Sequence, residues 1–361
     1  MANTDNTTHS SGSPKEKSRS KNVMKWIGVA TAVLSLIFGL QQLASWLLDY
    51  RAKRREIAEY IDLGNMQRAS HDYHAAWASL EKAYALDSDN DGVNRAREDL
   101  AMEWLENIRV RSDQETFTDV VDRILPALRR GALKSEEQRK ADLLAHIGWA
   151  DFLRWRDGNV ALEPEASYRQ ALAVDSSNVY AHAMWGHWIL WQHGDIERAK
   201  HHFAKALAAG RKHDYARRMQ LSALLNVKNE HTEAEIIRVC NAMRQNNETF
   251  DDSHRNAIWG VYSSIGGRIR SAHVDSGFFE EVIPREQELA TFRWLFEDWD
   301  RTADNTVYLY LLACLQEAAG QHEVALQAFL NLRQNASSRS VFLHRIDAAI
   351  KRLHMVVGSS G

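Results

Sequence analysis

The densest set of side chains able to do chemistry lies between Asp87 and Glu98, in the stretch DSDNDGVNRARE. Asp87, Asp89 and Asp91 alternate ahead of Gly92, and Glu98 follows after five intervening residues. Calcium takes several oxygens at about 2.3–2.6 Å, and a glycine behind alternating acids permits the turn that lets them converge. The same residues also suit a polar turn between two helices, with the second helix starting early.

The spacing resembles an EF-hand calcium loop. Asn94 departs from that family, which has an aliphatic residue there, and no second loop of this kind pairs with the first. The histidines give a weaker signal. The chain has 16, and His182, His187, His193, His201 and His202 crowd one stretch. They fall around both helices of a hairpin and in its turn, whereas a metal needs ligands converging from defined faces. They read as solvated or partly packed. His322-Glu323 lacks the second histidine of H-E-x-x-H, and neither a G-x-x-x-x-G-K-[ST] phosphate loop nor a G-x-S-x-G elbow occurs. Glu280-Glu281 and Glu297-Asp298 could serve as acid and base, but carboxylates on helix surfaces are usually just solvated. Cys240 and Cys314 make no metal or redox motif and read as core residues. The expectation is a non-enzyme with no cofactor and no small-molecule substrate.

The elements that must position any site are centred on Tyr180–Leu207. Met184, Trp185, Trp188, Ile189 and Trp191 recur at helical spacing, and so do Ile196, Ala199, Phe203, Ala206 and Leu207. His193-Gly194-Asp195 is the turn between them. Ala76, Leu80 and Ala83 repeat the spacing, after Tyr60, Leu63 and Gly64. Leu309 and Leu312 precede Gly320, Ala325, Phe329 and Leu332 at matching intervals. An imperfect copy runs through Ile147-Gly148, Tyr168 and Ala171, with extra residues around Asn159–Glu163. These small–large–small stripes resemble the tetratricopeptide repeat, although Ser88 and Ser176 stand where that family closes with proline.

The resemblance implies an all-α chain in which helical hairpins stack as a solenoid, which accommodates 361 residues without one large core. Clear repeats are expected near 57–90, 180–208 and 306–334, with degenerate ones between, in a solenoid over 51–355. Helices are expected at Asn94–Val110, Thr116–Arg130 (with Pro126 kinking or ending it early), Leu133–Arg156 and Pro164–Val174. Further ones are expected at His213–Leu225, Ala234–Met243, His254–Ile265, Pro284–Glu297 and Val341–Leu353. Gly266-Gly267, within Ser263–Ser276, is expected to break the domain.

Ahead of the repeats lies a different kind of sequence. Residues 1–22 are polar and basic and have nothing to bury, so they should be disordered. Trp26–Leu48 is a run of 23 residues without a charge, inside an expected anchor at 23–50. At about 1.5 Å per residue it would span roughly 34 Å, enough for a bilayer core. Trp26, Trp46 and Tyr50 sit near its ends as interfacial aromatics do. A cleaved signal peptide fits less well, since the run is long and no A-x-A site follows. Residues 1–55 hold nine of the 45 Lys/Arg and three of the 48 Asp/Glu, leaving 36 basic against 45 acidic residues beyond them. That acidic balance argues against nucleic acid as a partner. Five basic residues precede the run and four follow it (Arg51, Lys53, Arg54 and Arg55), so the charge rule for orientation is nearly balanced. The short basic tail favours a cytoplasmic N-terminus, with the repeats extracytoplasmic. The patch at 51–55 would equally bind anionic headgroups on the cytoplasmic face. No Pro or Gly interrupts Leu40–Leu63, so the span can continue into the first repeat.

In tetratricopeptide proteins the first helix of each pair lines a groove that binds protein partners. Carried over by position, the resemblance implies Asn65 and Arg68, then Trp188, Trp191 and Gln192, then Tyr310 and Glu317. Trp188 and Trp191 fit a core role equally well. The resulting expectation is a single-pass membrane scaffold of bacterial inner-membrane style that binds a protein. The alternatives are a calcium-responsive helical module using Asp87, Asp89, Asp91 and Glu98, and an enzyme whose site lies in residues 208–300.

Overall fold

A computed structural model describes residues 14–108, 115–227, 230–249, 252–271, 282–299, 306–335 and 343–359. Among the described residues there are helices and turns but no strand. The chain divides into two compact units, residues 1–100 and 101–361.

The first unit is built on α1 (Pro14–Ala69), which runs unbroken for 56 residues. It pairs with α2 (Tyr73–Leu86), and α3 (Asp91–Asn107) follows, its residues from Ala101 onward belonging to the second unit. The turn after α1 places His71 at φ 60°, and Asp72 caps α2 by accepting from the Ala75 amide at 3.1 Å. The expected span Trp26–Leu48 lies within α1. Its side chains at 26–30, 32 and 33 fall outside the described residues, and Gln41 and Gln42 dilute the remainder. Among the described residues no helix is long and apolar enough to cross a membrane.

The second unit continues with α4 (Phe117–Lys134), α5 (Glu137–Arg156), α6 (Pro164–Val174), α7 (Val179–His193), α8 (Ile196–Ala208), α9 (His213–Asn226) and α10 (Glu230–Gln245). It ends with α11 (Asp252–Ser271), α12 (Arg285–Phe296), α13 (Thr306–Ala318), α14 (His322–Asn335) and α15 (Leu343–Gly358). Consecutive helices form pairs, α5 with α6, α7 with α8 and α13 with α14, and α7 also packs on α5 and α9. This is an all-helical repeat.

Three local expectations are corrected. Pro126 does not end its helix, because α4 runs on to Lys134. A proline inside a helix costs about 3 kcal/mol. Here Ile124 and Leu125 before it and Leu128 and Ala132 after it are all buried on one face, which offsets the lost hydrogen bond. Thr116 and Asp119 fix the start of α4 as a reciprocal capping box. The helix expected over Leu133–Arg156 is two helices, since Ser135 is extended and its amide closes α4 on the Gly131 carbonyl at 2.8 Å. Gly266-Gly267 does not break α11, which continues to Ser271. Glycine costs about 1 kcal/mol against alanine in a helix but keeps its amide donor. Residues 272–276 of the expected break lie outside the described residues.

The pairs α1–α2, α5–α6 and α7–α8 share one packing device. A Cβ on Gly64 would lie 3.0 Å from Leu80, one on Gly148 2.6 Å from the Tyr168 ring, and one on Gly186 3.1 Å from the Phe203 ring. In each pair a glycine on the first helix lets the large residue of the second helix press against the backbone. Ala76, Ala83, Ala199 and Ala206 are fully buried at the small positions on either side. Gly194 makes the expected turn at φ 63°, and Asp195 caps α8 by accepting from the Arg198 amide at 3.0 Å.

Candidate partner-binding surface

The first helices of neighbouring pairs, α5 and α7, meet through aromatic rings. Phe152 is fully buried and has Trp188 at 5.8 Å and Trp191 at 5.9 Å, both edge-on, while Trp155 meets Trp188 at 5.1 Å. Trp188 is 7% exposed and therefore part of the core. Trp191 and Trp155 are half-buried. The Arg156 guanidinium lies 4.8 Å from the Trp191 ring and 4.7 Å from Phe117 at the start of α4, so it bridges two aromatic faces. Burial pulls the Arg156 pKa down, and neighbouring Asp157 opposes that shift. Asp157 itself accepts from the amide and hydroxyl of Thr118 at 2.7 and 2.9 Å, which pins this end of α5 to α4.

Behind this shelf sits His187, 5.0 Å from Trp149 and 5.4 Å from Phe152. Burial, and then the charge of Arg156, push its pKa down to about 3, so it is neutral at ordinary pH. Trp149 donates its indole N–H to the Leu105 carbonyl at 3.1 Å.

A polar cleft of about 510 Å³ lies at the other end of these helices, lined by Glu106, the segment Gly210–Tyr215, and Arg218. His146, fully buried, donates from Nδ1 to the Asp142 carbonyl at 2.7 Å, and its Nε2 lies 3.2 Å from Glu106 Oε1. Carbonyl and carboxylate oxygens only accept, so both contacts carry a proton only in the doubly protonated ring. Burial would raise the Glu106 pKa, but the hydrogen bond and charge of His146, then Lys212 and Tyr180, bring it below the usual range. Arg211 reaches Asp142 at 3.1 Å, and the Asn178 amide donates to the same carboxylate at 2.6 Å. The sequence reading missed this network, whose members lie far apart along the chain. The basic run Arg211-Lys212 after Gly210 was its one visible trace.

The other carried-over residues are scattered in role. Asn65 and Gln192 are exposed, and Arg68 is half-buried on α1. Tyr310 is 5% exposed and packs edge-on against Phe329 at 6.0 Å, inside the core of the last pair. Glu317 accepts two hydrogen bonds from Arg352 of α15, at 2.7 and 2.9 Å. Beside them α13 and α14 leave a groove of about 800 Å³, lined by Leu309, Leu312, Val324 and Asn331 and by the buried Gln316.

The Asp87–Glu98 stretch is built as a turn and a helix. Asp87 caps the end of α2 and accepts from the Asp89 amide at 3.2 Å. Asn90 accepts from the Val93 amide at 3.1 Å, and α3 begins at Asp91. Glu98 therefore lies on the same helix as Asp91, roughly 10 Å farther along the axis at about 1.5 Å per residue, which does not bring their oxygens round one ion. Asn94 donates to the carbonyls of Ser88 and Asn90, both at 3.0 Å, so it closes the turn. No group of three or more metal-ligating side chains converges among the described residues. On α1, Arg51, Lys53, Arg54 and Arg55 are all exposed. The Arg54 guanidinium lies 5.6 Å from the Tyr50 ring, and Arg55 pairs with Glu59 at 3.0 Å.

No family model matches the chain, and no curated protein matches it. Among solved structures the chain is similar to a tetratricopeptide repeat protein from Parabacteroides merdae ATCC 43184, at 14% identity over 83% of this chain and 99% of that one, with a TM-score of 0.39. It is also similar to the TPR domain of P58(IPK), at 13% identity over 84% and 99% of the two chains, with a TM-score of 0.19. Both overlays are loose, and the fold is defined by the chain's own helix pairs.

Proposed function

We propose that this chain is a non-catalytic, single-pass membrane scaffold that holds a protein partner against the α5–α7 aromatic shelf. The observation that carries this reading is the Arg156 guanidinium held between Trp191 and Phe117 at 4.8 and 4.7 Å, with Trp191 only half-buried. Tryptophan and arginine at a partly desolvated surface are the residue types that dominate protein interfaces. Gln192 would extend the contact, while Asn65 and Arg68 are separate candidates on α1 in the first unit. The anchor is supported by the uncharged Trp26–Leu48 run within one helix, and by Leu34, Leu36, Ile37, Phe38 and Leu48, each more than half exposed. In this reading the basic patch at 51–55 meets headgroups, and the repeats project to the extracytoplasmic side of a bacterial inner membrane.

The test places a photo-crosslinking residue at Gln192 in the full-length chain in its own membranes. A discrete protein adduct is expected at 192 and should be lost with Trp191→Ala or Arg156→Ala. Adducts that survive both substitutions would rule the shelf out. Alkaline extraction checks the anchor. The full chain should remain with the membranes, and a chain starting at Arg55 should be released.

A further inference from the structure

Two imidazoles meet across the α7–α8 pair. His182 Nδ1 lies 3.1 Å from His202 Nδ1, and His182 Nε2 lies 3.1 Å from the Ser176 carbonyl. The carbonyl can only accept, so His182 carries a proton on Nε2, and its Nδ1 is bare in the neutral ring. The hydrogen at the inter-ring contact therefore belongs to His202 Nδ1. His182 and His202 are 6% and 9% exposed, and Trp185 covers His202 at a centroid distance of 4.5 Å.

The repeat itself does not require this pair. Four residues before its close-packed glycine or alanine, α7 has His182 where α1 has Tyr60 and α13 has Leu309. Three residues after its first buried alanine, α8 has His202 where α2 has Ser79 and α14 has Ala328. In the first pair the Ser79 hydroxyl, at the His202 position, donates to Gln67 at 2.7 Å, seven residues beyond Tyr60, and neither side chain of that bond titrates. In the last pair the face is the open groove. The central pair alone among these three closes it with two groups that bind protons.

We propose that the His182–His202 contact is a proton-operated latch on the α7–α8 helix pair. One added proton can be held. His182 then donates from Nδ1, and His202 moves its own proton to Nε2. A second added proton leaves two N–H groups facing each other and two like charges in contact, and the latch opens. The surroundings favour opening. Lys205, His201 and Arg198 add positive charge from α8, and Asp175, ahead of α7, opposes them at His182. Arg198 is engaged by Glu165 of α6 at 3.3 Å, and Lys200 by Glu235 of α10 at 3.8 Å. From the packed α6, Tyr168 faces Trp185 and stays neutral, since burial, then Asp151, raise its pKa.

Burial lowers the pKa of both rings. For His202, His182, His201 and Arg198 add to this and bring it to about 4. For His182 the bond to Ser176 partly restores it. With folded values below the unfolded one, the unfolded chain takes up protons first. The pair's contribution is therefore complete above about pH 6.5 and falls away as pH drops toward the folded values.

The test uses the full-length chain and His202→Asn, whose amide N–H stands where the Nδ1 proton does and does not titrate. His201→Asn, at the exposed neighbour, is the control. Amide hydrogen exchange over residues 196–208 is compared at about pH 7 and about pH 4.5, corrected for intrinsic rates. Exchange should rise roughly tenfold in acid for the native chain and His201→Asn, and less than about threefold for His202→Asn. Equal rises in native and His202→Asn, or no rise in the native chain, would overturn the latch. Should His202→Asn already be loose at neutral pH, nitrogen NMR of histidine-labelled native protein decides. His182 must be protonated on Nε2 and His202 on Nδ1 near neutrality, and any other pair of tautomers refutes the proposal.

Discussion

Gly148 on α5 and Tyr168 on α6 are so close that a Cβ on the glycine would lie 2.6 Å from the tyrosine ring and 3.1 Å from the Pro164 carbonyl. The tyrosine is fully buried, so its ring cannot swing away. Gly186 meets Phe203 less tightly, at 3.1 Å, and Gly64 meets the flexible end of Leu80 at 3.0 Å.

Glycine-to-alanine substitutions should therefore rank in that order. Overpacking costs about 1–3 kcal/mol, while alanine recovers up to about 1 kcal/mol of helix propensity. Gly148→Ala should lose about 1–2 kcal/mol, Gly186→Ala less, and Gly64→Ala should be near neutral. Chemical denaturation of the three variants checks the ranking. A Gly64→Ala loss equal to that of Gly148→Ala would contradict it.

Ala199 and Ala204 lie five positions apart on α8, the first with no exposed surface and the second exposed. Ala199→Trp should cost about 3 kcal/mol or more, because its helix packs against Gly186 there, while Ala204→Gln should stay within about 0.5 kcal/mol. Limited proteolysis should cut Ala199→Trp between Gly194 and Gly210 first. Equal melting of the two variants would show the packing face to be misplaced.

Glu288 on α12 is wholly buried, and neither carboxylate oxygen has a hydrogen-bond partner among the described residues. Burial pushes its pKa up to about 9, so the folded chain keeps it protonated. The folded value is raised above the unfolded one. Stability from this group is therefore full below about pH 4.5 and declines as pH rises toward 9. Glu288→Gln keeps the shape and removes the titration. It should stabilise the protein by about 2–3 kcal/mol near pH 7 and by little near pH 4. Melting curves at the two pH values check this, and a gain of the same size at both would contradict it.

Calcium should leave the melting temperature almost unchanged, with or without Glu98→Gln, because Asp91 and Glu98 share one helix. A ligand at a hundred times its dissociation constant would stabilise by about 2.7 kcal/mol. A calcium-dependent rise of several degrees, abolished by Glu98→Gln, would show that the turn refolds around the ion.

Some of this was legible in the sequence. The hairpin at 180–207, its Gly194 turn and the buried Ala199 follow from helical spacing and residue size, which are local properties. Pro126 does not end its helix because the cost of one proline is local, whereas the burial that outweighs it is tertiary. Trp188 and Trp191 lie less than one turn apart, and spacing alone cannot say which is enclosed. The α5 helix decides, by adding Trp155 against Trp188 while Phe152 meets both rings. Gly186 escaped notice because it stands thirteen residues before Ala199, where Gly64 stands twelve before Ala76. The Glu106–His146 pair joins side chains forty residues apart, and nothing in either neighbourhood announces it.

The unbroken α1 has a rotational consequence. A straight helix turns about 100° per residue, so the apolar run and the first repeat are fixed in phase as well as in distance. Deleting one residue between Tyr50 and Ile57 would shorten the rod by only about 1.5 Å but swivel the first repeat by more than a quarter turn. Inserting eighteen residues would restore the original heading, about 27 Å farther out. Whatever the first repeat faces is thus set by a residue count in the shaft beneath it.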